Sequence, residues 1–234
     1  YTMALKVLIA LSTLLFLGCK PIQTPNSDPQ GLYDSGALWP DARATVCFAD
    51  DAQGNAAMRA LIRTTVEEEI NQRTNFRFNG FNLCSKSPQS QIEVRIGMAG
   101  RDNSGSIGDS RNELQKLLSH FVPASRVRAP MHFYYRERMD KITNRYEVQN
   151  TIVHEFGHAL GLYHEQLRSD NVRGKLCSDN SGGVPGDEPE RAKKVGAFDR
   201  DSIMNYCNDD FFTRKMGLYK GDLATIEKMY GRKR

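Results

Sequence analysis

Three of the five histidines in this sequence fall within one eleven-residue run, His154-Glu155-Phe156-Gly157-His158-Ala159-Leu160-Gly161-Leu162-Tyr163-His164. His154 and His158 are four positions apart, so on a helix they stand one turn apart on nearly the same face. Both imidazoles can then reach a single ion at about 2.0–2.1 Å. Glu155 follows the first ligand and sets a carboxylate beside a metal-held water, the place of a general base that takes a proton as the water attacks a carbonyl. Gly161 lets the chain leave the helix sharply, and the turn returns His164 as a third ligand. The residues therefore predict one Zn2+ per chain on His154, His158 and His164, with Glu155 catalytic. Residue frequencies put a chance occurrence of the whole pattern at about 10⁻⁵. A purely structural ion would have no use for Glu155.

Elements must hold these groups in place. A helix is expected from about Arg145 to Gly161, ended by the glycine. A second long helix is expected from Asn55 to Arg73, where Met58, Leu61, Ile62, Val66 and Ile70 fall at helical spacing. Strands are expected at Ala44–Phe48, Asn75–Phe78, Gln91–Ile96 and Met131–Tyr135, from alternation and from aromatic content. Residues 168–200 hold few apolar side chains and read as a long irregular segment. A short closing helix is expected over Asp222–Tyr230, with Asp222 as a candidate N-cap. The fold class is α+β.

At 234 residues, 39% hydrophobic and 26% charged, the chain has room for one substantial domain. A net charge of +4 without a dense basic stripe gives no reason to invoke nucleic acid. Lys6 precedes an apolar run over 7–17 and then Gly18-Cys19, which is the layout of an export signal and too short for a membrane span. The Phe16-Leu17-Gly18-Cys19 ending resembles a bacterial lipobox, with Cys19 as the lipidation site. The organisation expected is a lipoprotein-type signal over 1–18, a polar tether over 19–36 and a catalytic domain over 37–234. The destination expected is the bacterial cell envelope, with the chain anchored to a membrane through an N-terminal lipid or released outside. Four further cysteines, Cys47, Cys84, Cys177 and Cys207, suit two disulfides with three possible pairings. Cys47–Cys84 and Cys177–Cys207 are preferred, one on each side of the motif helix. Lone His120 and His132 read as surface or hydrogen-bonded residues, and the acidic stretch Asp179, Asp187, Glu188, Glu190 as a solvated loop without calcium-ligand spacing.

The extended histidine motif resembles that of the metzincin zinc endopeptidases. That clan carries a methionine turn beneath the metal, and Ser202-Ile203-Met204-Asn205-Tyr206 is similar to it, with Met204 forty residues after His164. The Met-x-Tyr form resembles astacins and serralysins, which implies Tyr206 as a further zinc ligand that swings away to stabilise the oxyanion. Glu165, followed by Gln166 and Arg168, resembles the astacin group, as do Leu38-Trp39-Pro40 and the closing segment to Gly231. The resemblance implies two lobes: a twisted mixed sheet with two long helices, and an irregular C-terminal lobe. It also implies a protein or peptide substrate lying along an edge strand, expected at Ala129–Tyr135, and a monomer. In astacins the glutamate after the third histidine pairs with a freed N-terminus, so a tethered chain needs another partner for Glu165. Asp34 is the one nearby candidate for an acidic latency switch. The alternatives are a serralysin- or matrixin-like peptidase, and a surface-anchored zinc-containing binding protein without turnover.

Overall fold

The computed structural model describes residues 29–98, 103–106, 108–109, 128–135, 142–171 and 186–233. The expected signal, the lipidation candidate Cys19, most of the tether, His120, Asp179 and Cys177 lie outside them.

Among the described residues five strands build the central sheet: β2 (Arg43–Phe48), β3 (Arg77–Leu83), β4 (Ile92–Met98), β5 (Ser104–Gly105) and β6 (Ala129–Tyr135), in the order β3-β2-β4-β6-β5. All neighbours run parallel except β5, which is antiparallel to β6. In β2, Ala44 and Val46 are fully buried and Phe48 nearly so; in β4, Ile92, Val94 and Ile96 are buried in the same alternation. Their period of two turns one face of the sheet into the core. Cys47 on β2 and Cys84 just after β3 form a disulfide, Cα–Cα 4.9 Å. Closing that 37-residue loop stabilises the fold by roughly 4 kcal/mol in the chain-entropy account. Cys207 is also disulfide-bonded.

The first long helix differs from the expected 55–73 span. Helix α1 covers Ala56–Val66 and is followed by a wide π-turn over Glu67–Asn71. The buried apolar residues Met58, Ile62 and Val66 of α1, and Ile70 in the turn, are spaced by four throughout. On a 3.6-residue helix that spacing drifts about 40° per step, and a wider turn brings Ile70 back to the core face. Asn71 ends the turn by bonding Phe78 on β3 in both directions: its Nδ2 donates to Phe78 O and its Oδ1 accepts from Phe78 N, each at 2.9 Å.

Helix α2 (Ile142–Leu160) carries the motif, and α3 (Lys220–Tyr230) closes the chain. Asp222 is not the N-cap of α3: Tyr219 occupies that place, and its N–H donates to Asp222 Oδ2 at 2.8 Å. From Ile152 to Leu160 every residue of α2 is buried. Phe156 faces the sheet, edge-on to Phe78 at 4.9 Å and stacked on Phe133 at 6.3 Å.

The folded body begins earlier than the expected boundary at residue 37. Gly31–Asp34 forms strand β1, antiparallel to β7 (Ala192–Val195), which itself lies inside the segment expected to be irregular. The other edge of β1 meets the exit of α2: Tyr33 bridges Leu162, Asp34 N donates to Gly161 O at 2.9 Å, and Tyr163 N to Leu32 O at 2.8 Å. Both strands are four residues long with few apolar side chains, so backbone pairing from distant segments forms them rather than any local pattern. Among the described residues no helix is long and apolar enough to cross a membrane.

Candidate active site

The end of α2 is where the chemistry is positioned. Four carbonyls at a helix C-terminus have no partner within the helix, and here each is met by the exit turn or by a distant part of the fold. Gly157 O accepts from Leu162 N at 3.0 Å, and His158 O from Gly161 N at 2.8 Å and Gly108 N at 2.7 Å. Ala159 O accepts from the Trp39 indole at 2.6 Å, and Leu160 O from the Tyr230 hydroxyl at 2.6 Å. Gly161 has φ +106°, a conformation that suits glycine and turns the chain out of the helix as expected.

His154, His158 and His164 converge as expected. His164 Nε2 is 3.1 Å from His154 Nε2 and 2.9 Å from His158 Nε2. Ligand atoms held tetrahedrally at about 2.0–2.1 Å from one zinc stand roughly 3.4 Å apart, close to these separations. His154 Nδ1 lies 2.8 Å from Ile203 O and His158 Nδ1 2.8 Å from Leu162 O. A carbonyl only accepts, so each Nδ1 carries the proton and each Nε2 presents a lone pair. Burial, reinforced by His164, pushes the His154 pKa down to about 3. Burial and both neighbouring histidines hold His158 well below its usual range. Two neutral, pre-aimed imidazoles and a third opposite them are a donor set that fits zinc. Among the described residues this is the one group of histidine, cysteine or carboxylate side chains arranged to hold a metal ion.

Glu155 is 1% exposed and its Oε2 is buried with no hydrogen-bond partner. Burial pushes its carboxyl up to about 8. An orphaned carboxylate oxygen on the helix that carries the histidines fits a partner that would enter with a metal or substrate. Strand β5 passes directly over it. A Cβ placed on Gly105 would lie 2.7 Å from Glu155 O and 3.2 Å from its Oε2, so glycine is what lets the strand come this close. This corrects the expected edge: Ala129–Tyr135 is flanked by β4 and β5, and among the described residues the outermost strand is Ser104–Gly105. Two residues in a Gly/Ser-rich stretch carry no strand signal of their own.

Met204 lies beneath the histidine cluster. A Cβ on Gly157 would come within 2.5 Å of Met204 Sδ, so the glycine between the first two histidines is the socket for the methionine. The turn is held by Asp222, whose carboxylate accepts from Ser202 Oγ at 2.6 Å and Ile203 N at 3.1 Å. Burial pushes that carboxyl up to about 7 against these bonds. The Tyr206 ring lies 4.6 Å from that of His154 and 4.7 Å from that of His164. Asn150, one turn before His154, ties α2 to the loop beyond the methionine turn through Phe211 O at 2.7 Å and Arg214 O at 2.8 Å. Sequence reasoning misses Asn150 and Asp222 in these roles. A polar residue one turn before the first histidine, on the same helix face, is the signal that could have found Asn150.

Glu165 is buried, and its partners are internal. Its N–H donates to Met204 O at 3.0 Å, its Oε1 accepts from Asp199 N at 2.9 Å, and Arg168 Nε stands 3.5 Å from the same oxygen. Burial pushes the Glu165 carboxyl up to about 8, opposed by Asp199 N–H and Arg168. Asp34 is not at the metal ligands; its carboxylate accepts from the Tyr163 hydroxyl at 3.0 Å and lies 3.4 Å from Arg191.

Comparison with known proteins agrees with this geometry. The matrixin family matches residues 42–173, from β2 through the histidine motif, and the astacin peptidase family matches residues 139–227, from α2 through the methionine turn. No curated protein matches the chain. A structure of myroilysin shares the fold at a TM-score of 0.60 and 20% identity, covering 87% of this chain and 100% of that one. A crystal structure of myroilysin gives 0.53 and 21%, covering 86% and 89%.

Proposed function

Because more than half of its length matches the matrixin family, this chain belongs to that group of metzincin metallopeptidases, and we propose that it is an endopeptidase that cleaves proteins with one bound zinc ion. The observation that carries the reading is the convergence of three imidazole Nε2 atoms beside a buried glutamate oxygen that has no partner. Zinc, when bound, supplies a Lewis acid that makes a water acidic and polarises a carbonyl. His154, His158 and His164 hold it, the first two oriented by Ile203 O and Leu162 O. Glu155 takes the proton of the attacking water and delivers it to the leaving amine. Tyr206, beside His154 and His164, donates a hydrogen bond from its hydroxyl to the developing oxyanion. The substrate backbone lies along the outer edge of Ser104–Gly105, pairing as an added strand, which brings its scissile carbonyl over Glu155.

The chain is exported and held at the bacterial envelope through a lipid on Cys19. The apolar run before that cysteine supports this, as does the Cys47–Cys84 bond, of a kind that persists in oxidising compartments. It acts as a monomer. Glu155 at the metal-facing end of α2 favours turnover over a binding role alone. Digestion of a denatured protein by the purified chain, with and without a chelator, tests the assignment. Cleavage is expected to stop on chelation, return with zinc and be absent in Glu155→Ala; equal cleavage by wild type and Glu155→Ala would overturn it.

A further inference from the structure

Among the described residues, Arg168 has the largest of the fully buried side chains. A buried guanidinium presents five N–H donors, and each bond left unmade is costly. Nε and Nη2 bind Asp170 Oδ1 and Oδ2, both at 2.8 Å. Nη1 donates to Gly31 O on β1 at 2.8 Å and to Val195 O on β7 at 3.1 Å, and Nη2 donates to Gly196 O at 2.6 Å. Nε also lies 3.5 Å from Glu165 Oε1. One side chain thus joins the residue after the third histidine to both strands of the β1–β7 ribbon.

The backbone repeats the connection on the other side of His164. Tyr163 N donates to Leu32 O and Asp34 N to Gly161 O, while Glu165 N donates to Met204 O. His164 itself lies outside α2, in extended conformation at the start of a single 3-10 turn. No helix periodicity aims it.

We propose that Arg168 is a positioning residue of the metal site, clamping strand β1 and strand β7 to the turn that carries His164, so that the N-terminal strand Gly31–Asp34 places the third ligand. This rests on the reading of the three histidines as zinc ligands. It makes the first folded strand of the chain part of the metal site, about 130 residues before the ligand it places in sequence. It also makes Arg168 an internal cation for Glu165, so the site is complete without a freed amino terminus.

The test uses the whole chain with Arg168→Lys, with Asp170→Asn as a milder variant, and with Arg73→Met as a control. Arg73 bonds Leu218 O and Glu69, away from the histidines. Zinc affinity is read by competition with a chromophoric chelator, and amide exchange is followed in the zinc-free protein. Arg168→Lys is expected to weaken zinc roughly 10- to 100-fold, the usual range for lost outer-shell support. Asp170→Asn should weaken it several-fold and Arg73→Met not at all. Exchange at Tyr163 and Asp34 should quicken in both ribbon variants, while amides of β2 and β4 stay protected. Affinities within twofold of wild type in both variants overturn the role of Arg168, as does quickened exchange spread equally over β2 and β4. If Arg168→Lys does not fold, Asp170→Asn decides alone. A wild-type chain that binds no zinc overturns the proposed function itself.

Discussion

Two regions hold the three clustered histidines in different ways. His154 and His158 sit on one buried helix, one turn apart, and each is oriented by a backbone carbonyl from outside that helix. Their spacing is a property of the helix and needs nothing distant to set it. His164 belongs to a loop whose hydrogen bonds run to β1, β7 and the methionine turn, segments far away in the chain. One half of the site is local and the other is assembled. The difference teaches where the site is strong and where it is vulnerable: local spacing survives as long as the helix does, whereas the loop depends on several weak contacts being made together.

Four variants probe that division, taken by the size of their effect on the site. Glu155→Gln leaves the ligands on both sides in place and removes the base, so kcat should fall about 10²–10⁴-fold with zinc affinity retained, as seen in steady-state kinetics with metal titration. Gly157→Ala strikes where the two regions touch. Its Cβ would press on Met204 Sδ at 2.5 Å, so stability should fall by about 1–3 kcal/mol in urea denaturation, with weakened zinc binding.

Asp222→Asn acts on the assembled half through pH. The folded Asp222 keeps its proton to about 7, because burial opposes ionisation, while the unfolded residue loses it near its ordinary value of 3.8. Between those values the folded state holds the extra proton, so this group makes stability fall as pH rises from about 4 to 7, by at most about 4 kcal/mol. Buried His154, with its pKa lowered to about 3, pushes the other way. The difference between wild type and Asp222→Asn therefore isolates the carboxyl. In urea denaturation across that range the variant should show the shallower decline, because its amide can still accept from Ile203 N and Tyr219 N. The smallest effect on the site belongs to the Cys47→Ser/Cys84→Ser pair. It should lower stability by roughly 2–4 kcal/mol and leave zinc affinity unchanged, since that bond ties β2 to β3, at the opposite end of the strand order from β5.

How much of this is legible in the sequence follows the same division. The motif histidines, Glu155, Gly161 and the strands β2, β4 and β6 can be read directly, because periods of 3.6 and 2 are local signals. Met204 and Tyr206 are legible by resemblance, and the structure puts them beside the histidines. The edge strand is not, since Ser104–Gly105 is two residues long and exists only through its pairing with β6. Strand β1 reads as tether for a similar reason: its polar neighbours mask a segment that is ordered by β7 and by the exit of α2.

The amino-acid order alone picked out His154, His158 and Glu155 as candidate ligands and base, because one helical turn converts a spacing of four into a shared face. It left the partner of Glu165 open. That partner proved to be Arg168 together with Asp199 N–H, joined to the first strand of the fold. The bond from Arg168 to Gly31 spans more than a hundred positions, and no short-range periodicity encodes it; it forms only once the whole chain has packed.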